Sequence, residues 1–201
     1  TASDKMHGVA KFDVATGKNV DGIWVGDEPS HVIGHDEKGV AYVSLAGANA
    51  VAVVDVASRT LLKTIDAVFD PLAMALSPSG DTLFVASHRS GQSSMFPYQE
   101  RGAETEKDVA VIDLASMTVT GHILEVSSTI QAMQFDDSGQ LWVSATTNNV
   151  EGSLNTPEDK SFEHEMFVLG TEPGLAVKTQ RADFSRQESS GGSTAQTHGF
   201  S

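Results

Sequence analysis

The chain of 201 residues contains no cysteine. This absence excludes disulfide bonds, thiolate metal sites and attachment of haem to this chain through a C-x-x-C-H motif. Basic residues are also scarce, with 13 Lys and Arg against 27 Asp and Glu, a formal net charge of −14. Because phosphate binding draws most of its free energy from basic side chains, this balance argues against a nucleic-acid partner and against binding to an anionic membrane surface.

Long apolar runs are absent as well. No stretch of 18 consecutive apolar residues occurs, so no segment is predicted to span a membrane. The chain begins with TASDKMHG rather than with an initiator Met, and we expect that a leader or an earlier domain has been removed. The acidic composition fits an extracytoplasmic or salt-adapted protein, and we predict a periplasmic or extracellular location.

Two short motifs recur in alternation along the chain. The first is an alternating apolar run that ends in Asp and a small polar turn: GVAKFDVATGK (8–18), AVAVVDVASRT (50–60) and DVAVIDLASMT (108–118). The second is a Gly turn followed by a strand with an aromatic residue: DEKGVAYVSLA (36–46), SPSGDTLFVAS (77–87) and DDSGQLWVSAT (136–146). Recurrence of two motifs in one order indicates a repeat architecture.

Both motifs keep the same period. Asp13 and Asp55 are 42 residues apart, and Gly39 and Gly80 are 41 residues apart. The next intervals, to the third copies, are 58 and 59 residues. This equal lengthening places an insertion of about 16 residues, at roughly 90–107, between the two motifs of one repeat.

Each period contains four candidate strands. In the middle repeat they lie at about 72–77, 82–87, 108–113 and 117–124. Period-2 alternation, β-branched residues and Gly/Ser/Asp turns favour strands over helices, and a repeat of about 40 residues with four strands is typical of a β-propeller blade. The predicted fold class is therefore all-β, a β-propeller with four-stranded antiparallel blades.

The repeat also predicts the domain boundaries. Residues 1–184 form a partial propeller of about 3.5 blades: a blade remnant at 7–29 and blades at about 30–71, 72–129 and 130–184. The last blade has a weaker first motif, with Gly170 in place of Asp, and residues 185–201 are predicted to be a Gly/Ser-rich linker or loop. Because an open ring exposes strand edges and an apolar blade face, we expect additional blades or a protein partner to complete it.

The middle repeat resembles a known family. PLAMALSPSGDTLFVAS (71–87) followed by VAVIDLASMTV (109–119) is similar to the YVTN-type propeller repeat of surface-layer-like and periplasmic proteins. The resemblance covers about residues 8–180 and implies a ring that usually has seven blades. Related propellers serve as binding scaffolds, as lactonases and as large subunits of periplasmic electron-transfer enzymes, and the fold does not choose among these functions.

Two sets of loops are predicted to share one face of the propeller. Loops into the innermost strands lie at 26–31, 67–71 and 126–130, and loops between second and third strands lie at 45–49, 87–107 and 145–164. Two of these exceed the usual loop length of about 12–15 residues. They predict either a binding surface over the channel mouth or a decoration that packs on the neighbouring blade.

Six residues near this face are predicted to bind a ligand: His31, His88, Arg89, Tyr98, Asn148 and Asn149. Histidine binds transition metals, and arginine pairs with carboxylates or phosphates. His31 and His35 are separated by ~13 Å along a strand, which is too far for one metal ion. His31 and His88 come from adjacent blades and are better placed, but further ligands are not evident, so metal binding stays open and no catalytic residue is assigned.

Other chemically notable residues have structural interpretations. An Asp at the end of a strand accepts hydrogen bonds from the following turn, so the repeated Asp13, Asp55 and Asp113 are predicted to be architectural rather than catalytic. Trp24 and Trp142 lie on predicted strands, where we expect them to pack in the core.

The first functional hypothesis is an extracytoplasmic binding or scaffold module that presents long loops to a protein or small ligand and is not catalytic on its own. The second is a propeller subunit or domain of a periplasmic redox enzyme, cytochrome- or quinone-linked. Its haem or metal would lie in another domain or chain, with no cofactor in this one. A third, lactonase-type hydrolysis, needs a carboxylate and histidine constellation that the sequence does not assemble.

Overall fold

The computed structural model describes residues 7–88, 107–127, 129–149 and 161–183. In these ranges the chain forms strands and turns, with a single 3-10 turn at Asp36–Lys38. The strands are β1 Gly8–Phe12, β2 Asn19–Trp24, β3 Pro29–His35, β4 Val40–Leu45, β5 Ala50–Asp55, β6 Thr60–Asp66, β7 Pro71–Leu76, β8 Thr82–Ser87, β9 Lys107–Asp113, β10 Thr118–Leu124, β11 Thr129–Phe135, β12 Leu141–Asn149, β13 Ser161–Leu169, β14 Gly174–Leu175 and β15 Lys178–Asp183.

The strands form three complete antiparallel sheets and one half sheet. The order is β3-β4-β5-β6 in blade 1, β7-β8-β9-β10 in blade 2 and β11-β12-β13-β15 in blade 3, and β1-β2 form a half blade that precedes them. The two-residue strand β14, which lies between β13 and β15 in the chain, pairs in parallel with β10 at the outer edge of blade 2. The innermost strand β7 lies against both β3 and β11, so the sheets are arranged around a common axis. The fold is a β-propeller, as predicted.

Burial explains why the middle strands of each blade are apolar on both faces. Every residue of β5 except the terminal Asp55 is buried, whereas the outer strand β6 is almost entirely exposed. Separate apolar clusters fill the spaces between the half blade and blade 1, between blades 1 and 2, and between blades 2 and 3. Since a middle strand packs against a neighbouring blade on each side, both of its faces are removed from water.

The repeated glycines fulfil a backbone requirement. Gly39, Gly80 and Gly139 have φ of 64°, 72° and 82° in the turn between first and second strands. Glycine adopts this left-handed conformation without the steric cost of a Cβ atom. At Gly80 the space is also limited, because an added Cβ would lie 2.9 Å from His35 Nε2 of the preceding blade.

One loop boundary differs from the prediction. The segment 145–164 was expected to be a loop, but β12 continues to Asn149 and β13 begins at Ser161, paired residue by residue. The backbone groups of the Thr and Asn residues at the end of β12 form hydrogen bonds in this ladder, so the strand continues through these polar residues. The described part of the chain contains no helix long and apolar enough to cross a membrane.

Candidate functional site

The loops that lead into the innermost strands meet the ends of the second strands at one face, which we call the loop face. Ala46 donates its N–H to the carbonyl of Glu28 at 2.9 Å, and His88 donates its N–H to the carbonyl of Asp70 at 2.8 Å. The same connection therefore recurs in blades 1 and 2. Both loops lie on the predicted common face.

His88 and Asp70 form a side-chain pair on this face. His88 Nδ1 lies 3.7 Å from Asp70 Oδ2, with side-chain exposures of 38% and 20%. Asp70 donates its N–H to Asn49 Oδ1 at 2.9 Å, and its φ of 46° turns the chain sharply before Pro71. The preceding blade therefore holds the backbone at Asp70, and the partly exposed imidazole beside its carboxylate offers a ligand a hydrogen-bonding group.

His31 connects the innermost strands of two blades. Its ring Nδ1 accepts the N–H of Met74 on β7 at 3.1 Å. His31 is exposed, so its ring is accessible to solvent or a ligand. His31 and His88 each have their own partner, and among the described residues no three His, Cys, Asp or Glu side chains form a metal-binding group.

The other predicted ligand residues are placed only in part. Asn148 and Asn149 lie at the end of β12, opposite Phe162 and Ser161 on β13, on the loop-face side of blade 3. They belong to a paired strand rather than to the predicted loop. Arg89 and Tyr98 lie outside the described residues.

A polar group in blade 3 was missed by sequence reasoning. Gln131 Nε2 donates to Thr146 Oγ1 at 3.1 Å, and the same hydroxyl lies 3.0 Å from His164 Nδ1. Thr146 is buried while His164 is exposed, so the buried hydroxyl positions an accessible imidazole. The sequence placed His164 in a loop, and only the pairing of Thr146 with His164 across β12 and β13 brings the three together.

A buried carboxylate also holds the loop face in shape. Asp108 is 2% exposed, and its Oδ2 accepts the N–H groups of Val126 and, at 3.3 Å, of Ser127. The hydroxyl of Ser127 then donates to the carbonyl of Thr146 at 3.2 Å. A carboxylate oxygen that accepts two backbone N–H groups fixes this loop, and no feature of the sequence predicted that the first Asp of DVAVID is buried.

The repeated aspartates lie at the turns of the opposite face, and each accepts two hydrogen bonds from one residue three positions later. Ser58 donates its N–H and Oγ to Asp55 at 2.5 and 2.6 Å, and Ser116 does the same to Asp113 at 2.6 Å. Thr16 repeats the pattern with Asp13. These bonds lower the pKa of each carboxyl below its usual value, the side-chain hydroxyl contributing most. The hydrogen bonds predicted from the following turn are therefore present at all three aspartates.

No family model matches the sequence. A 102-residue stretch is 31% identical to Autophagy-related protein 18 of Mycosarcoma maydis, covering 47% of this chain and 22% of that protein. The chain therefore spans less than a quarter of that curated relative. The resemblance to the YVTN-type repeat stays a prediction.

Solved structures share the fold at low sequence identity. Kuenenia stuttgartiensis Hydrazine Synthase superposes with a TM-score of 0.66 at 21% identity over 89% of this chain and 44% of that one. A protein of unknown function from Desulfotomaculum acetoxidans gives 0.59 at 11% identity, over 89% and 49%. The β-propeller domain of Myceliophteria thermophila Cps50 (Swd1) gives 0.49 at 11% identity, over 79% and 39%. The chain spans less than half the length of each of these structures.

Proposed function

We propose that the protein is a β-propeller binding module of the YVTN-like group, periplasmic or extracellular, that binds a protein or small ligand at its loop face. The observation that carries the proposal is the concentration of partly exposed polar side chains there. The His88 imidazole lies 3.7 Å from the Asp70 carboxylate, whose backbone N–H is bonded to Asn49 of the preceding blade. His164 is held by the hydroxyl of Thr146, which also accepts a hydrogen bond from Gln131. Pre-positioned polar groups on a rigid scaffold are the usual composition of a binding surface.

The strand ends of two adjacent blades also indicate that the loop face is the binding surface. β8 ends at Ser87 and β9 begins at Lys107, while β12 ends at Asn149 and β13 begins at Ser161. Both long insertions of the sequence therefore leave from the loop face. On the opposite face, the turns between the third and fourth strands of blades 1 and 2 are short and are closed by Asp55 and Asp113.

Site-specific photo-crosslinking tests this proposal. A benzoylphenylalanine placed at His88 or at His164 is expected to give a discrete adduct in the cell envelope fraction of the producing organism. The matched controls are the same group at Ser58 and Ser116, which lie in exposed turns of the opposite face. The result that overturns the proposal is equal crosslinking from both faces, or crosslinking only from the control positions.

The alternative proposal is a propeller subunit of a periplasmic redox enzyme whose haem or metal lies in another domain or chain. In its favour, one solved structure with this fold is named Hydrazine Synthase, although 21% identity supports the fold alone. Native purification through a chromosomal affinity tag, followed by haem absorbance and metal analysis, separates the alternatives. A stoichiometric cofactor in the isolated complex favours the redox subunit, and its consistent absence favours the binding module.

A further inference from the structure

One peptide bond at the loop face joins a pair of residues with reactive chemistry. Asp70 is followed by Pro71, the first residue of β7. In an aspartate, rotation about Cα–Cβ and Cβ–Cγ is enough to bring a carboxylate oxygen onto the carbonyl carbon of the same residue. The attack closes a five-membered ring and is favoured because both groups belong to one residue. The proline nitrogen, a tertiary amide, would leave as a secondary amine.

The backbone at this bond is held in an unfavourable conformation. Asp70 has a φ of 46°, in the left-handed region that residues other than glycine rarely adopt, and a residue before proline ordinarily takes an extended conformation. Neighbouring groups hold the chain there, because Asn49 Oδ1 accepts the Asp70 N–H at 2.9 Å and the Phe69 carbonyl accepts the Ser87 hydroxyl at 2.7 Å. Strain of this kind is concentrated at functional sites, and cleavage of the bond to Pro71 would release it.

The carbonyl of Asp70 is polarised by a backbone donor. His88 donates its N–H to this oxygen at 2.8 Å. A donor aimed at a carbonyl oxygen stabilises the negative charge that develops there when a nucleophile adds to the carbon. The fold therefore supplies one of the donors that an oxyanion requires.

The same residue brings a proton donor to the bond. His88 follows Ser87, which lies opposite Pro71 in the ladder between β7 and β8. Its Nδ1 lies 3.7 Å from Asp70 Oδ2, and the two side chains are 38% and 20% exposed, so water reaches the pair. Because histidine changes charge between about pH 5 and 8, an imidazolium at this position can protonate the nitrogen that leaves.

Blade 1 contains a natural comparison. Glu28 precedes Pro29, has a φ of 47°, and its carbonyl accepts the N–H of Ala46 at 2.9 Å. The backbone conformation therefore belongs to the architecture of both blades. The chemistry differs, because the longer side chain of Glu28 would close a six-membered ring and Ala46 stands where blade 2 has His88. The nearby imidazole of His7 accepts the Glu28 N–H at 3.2 Å.

We propose that the chain cleaves itself at the bond between Asp70 and Pro71. An oxygen of the Asp70 carboxylate attacks the Asp70 carbonyl carbon, and the bond from this carbon to the Pro71 nitrogen breaks. The electron pair of that bond stays on the nitrogen, which takes a proton from the His88 imidazolium. The products are a cyclic anhydride at Asp70 and a free amino terminus at Pro71, and water then opens the anhydride to a carboxyl-terminal aspartate.

This activity goes beyond ligand binding at the loop face. The fragments 1–70 and 71–201 are expected to stay associated, because residues of both form the apolar cluster between blades 1 and 2. Cleavage would therefore convert one chain into two without separating the blades, and its detection requires denaturing conditions.

Intact-mass measurement after denaturation tests the proposal. The purified full chain is incubated at about pH 6, and we expect fragments 1–70 and 71–201 to form at a rate that does not depend on protein concentration. Hydroxylamine added during incubation should trap the anhydride and leave a hydroxamate on Asp70. The control for the ordinary lability of Asp–Pro bonds is the same chain unfolded in urea, which loses the contacts of Asn49 and His88 and should be cleaved about 10-fold more slowly or less.

Variants assign the two chemical functions. Asp70→Glu enlarges the ring and should slow cleavage by about 10-fold or more, and His88→Gln keeps the backbone donor but removes the imidazolium and should slow it by about 100-fold. The matched control, Glu28→Gln in blade 1, should leave the rate unchanged. Absence of the two fragments, equal cleavage of the folded and unfolded chains, or wild-type rates in Asp70→Glu or His88→Gln overturns the proposal. Photo-crosslinking at the loop face is a separate measurement, so failure of this inference is distinguishable from failure of the proposed function.

Discussion

The innermost strands of blades 1 and 2 lie side by side in separate sheets, and a buried serine supplies one of the hydrogen bonds that connect the two blades there. Ser44 is completely buried. Its Oγ accepts the N–H of His31 at 3.0 Å and donates to the carbonyl of Leu72 on β7 at 3.1 Å. Replacing Ser44 with Ala removes the hydroxyl with the smallest change of volume and deprives two backbone groups of this partner.

The size of the effect follows from these two bonds. The His31 N–H is only partly buried, so its lost bond and the lost bond to the Leu72 carbonyl each cost about 0.5–1.5 kcal/mol. We therefore expect Ser44→Ala to lower the free energy of unfolding by about 1–3 kcal/mol, which corresponds to a decrease in Tm of roughly 2–12 °C for a chain of this size. Urea unfolding followed by tryptophan fluorescence measures the change, which should appear in the midpoint with an unchanged m-value.

The control is Ser79→Ala, which removes an exposed hydroxyl 3.1 Å from Ser77 Oγ and should change stability by less than about 0.5 kcal/mol. A Ser44→Ala change within that range would refute the reasoning, because it would mean that the connection is not needed. His31→Ala removes the acceptor of the Met74 N–H in the same region. The double variant should therefore show a coupling energy above about 0.5 kcal/mol.

Three further predictions concern single side chains. No hydrogen-bond partner of the buried Tyr42 hydroxyl lies among the described residues, and burial raises its pKa, so Tyr42→Phe should stabilise the fold by about 1 kcal/mol in urea unfolding. A Cβ at Gly121 would lie 2.6 Å from Pro173 Cβ, so Gly121→Ala should lower the free energy of unfolding by about 1–3 kcal/mol. The Ala176 N–H bonds across this contact to the outer strand of blade 2, so its hydrogen exchange should become faster in the variant. Hydrogen bonds led by the Gln140 N–H lower the pKa of Asp136 from 3.8 to about 2. Because its folded-state pKa is depressed, the stabilisation is present above pH 4 and lost towards pH 2, and the Tm difference between wild type and Asp136→Asn should shrink over that interval.

Each of these three predictions has a control variant or a result that would contradict it. Gly22→Ala places its Cβ no closer than 3.8 Å to a neighbour, so it should leave exchange at Ala176 unchanged. Loss of stability in Tyr42→Phe would mean that the hydroxyl has a partner in solution. A Tm difference for Asp136→Asn that is the same at pH 4 and pH 2 would contradict the assigned pKa.

The repeat made the architecture predictable. The period of Asp55 and Asp113 with Gly39 and Gly80 gave four strands per unit, because a blade needs the same turns and the same alternation each time it is built. The aspartate function was predictable for the same reason, since its partners lie three residues away in the chain. Local interactions of this kind are encoded in short segments and are independent of the rest of the ring.

The site was much less predictable, because its contacts join residues that are far apart in the chain. The pairing of His164 with Thr146 depends on the extension of β12 through 145–149, which the polar residues of this segment did not predict. The Asp70–His88 pair depends on the contact between blades 1 and 2. Trp24 was expected to lie in the core and is 66% exposed, because it lies on the outer strand β2; Asp66, at the same register position on the outer strand β6 of the complete blade 1, is exposed as well. Sequence periodicity thus determined which strands form and how each turn closes. Only the packing of one blade on the next decided which side chains are buried and which are brought together.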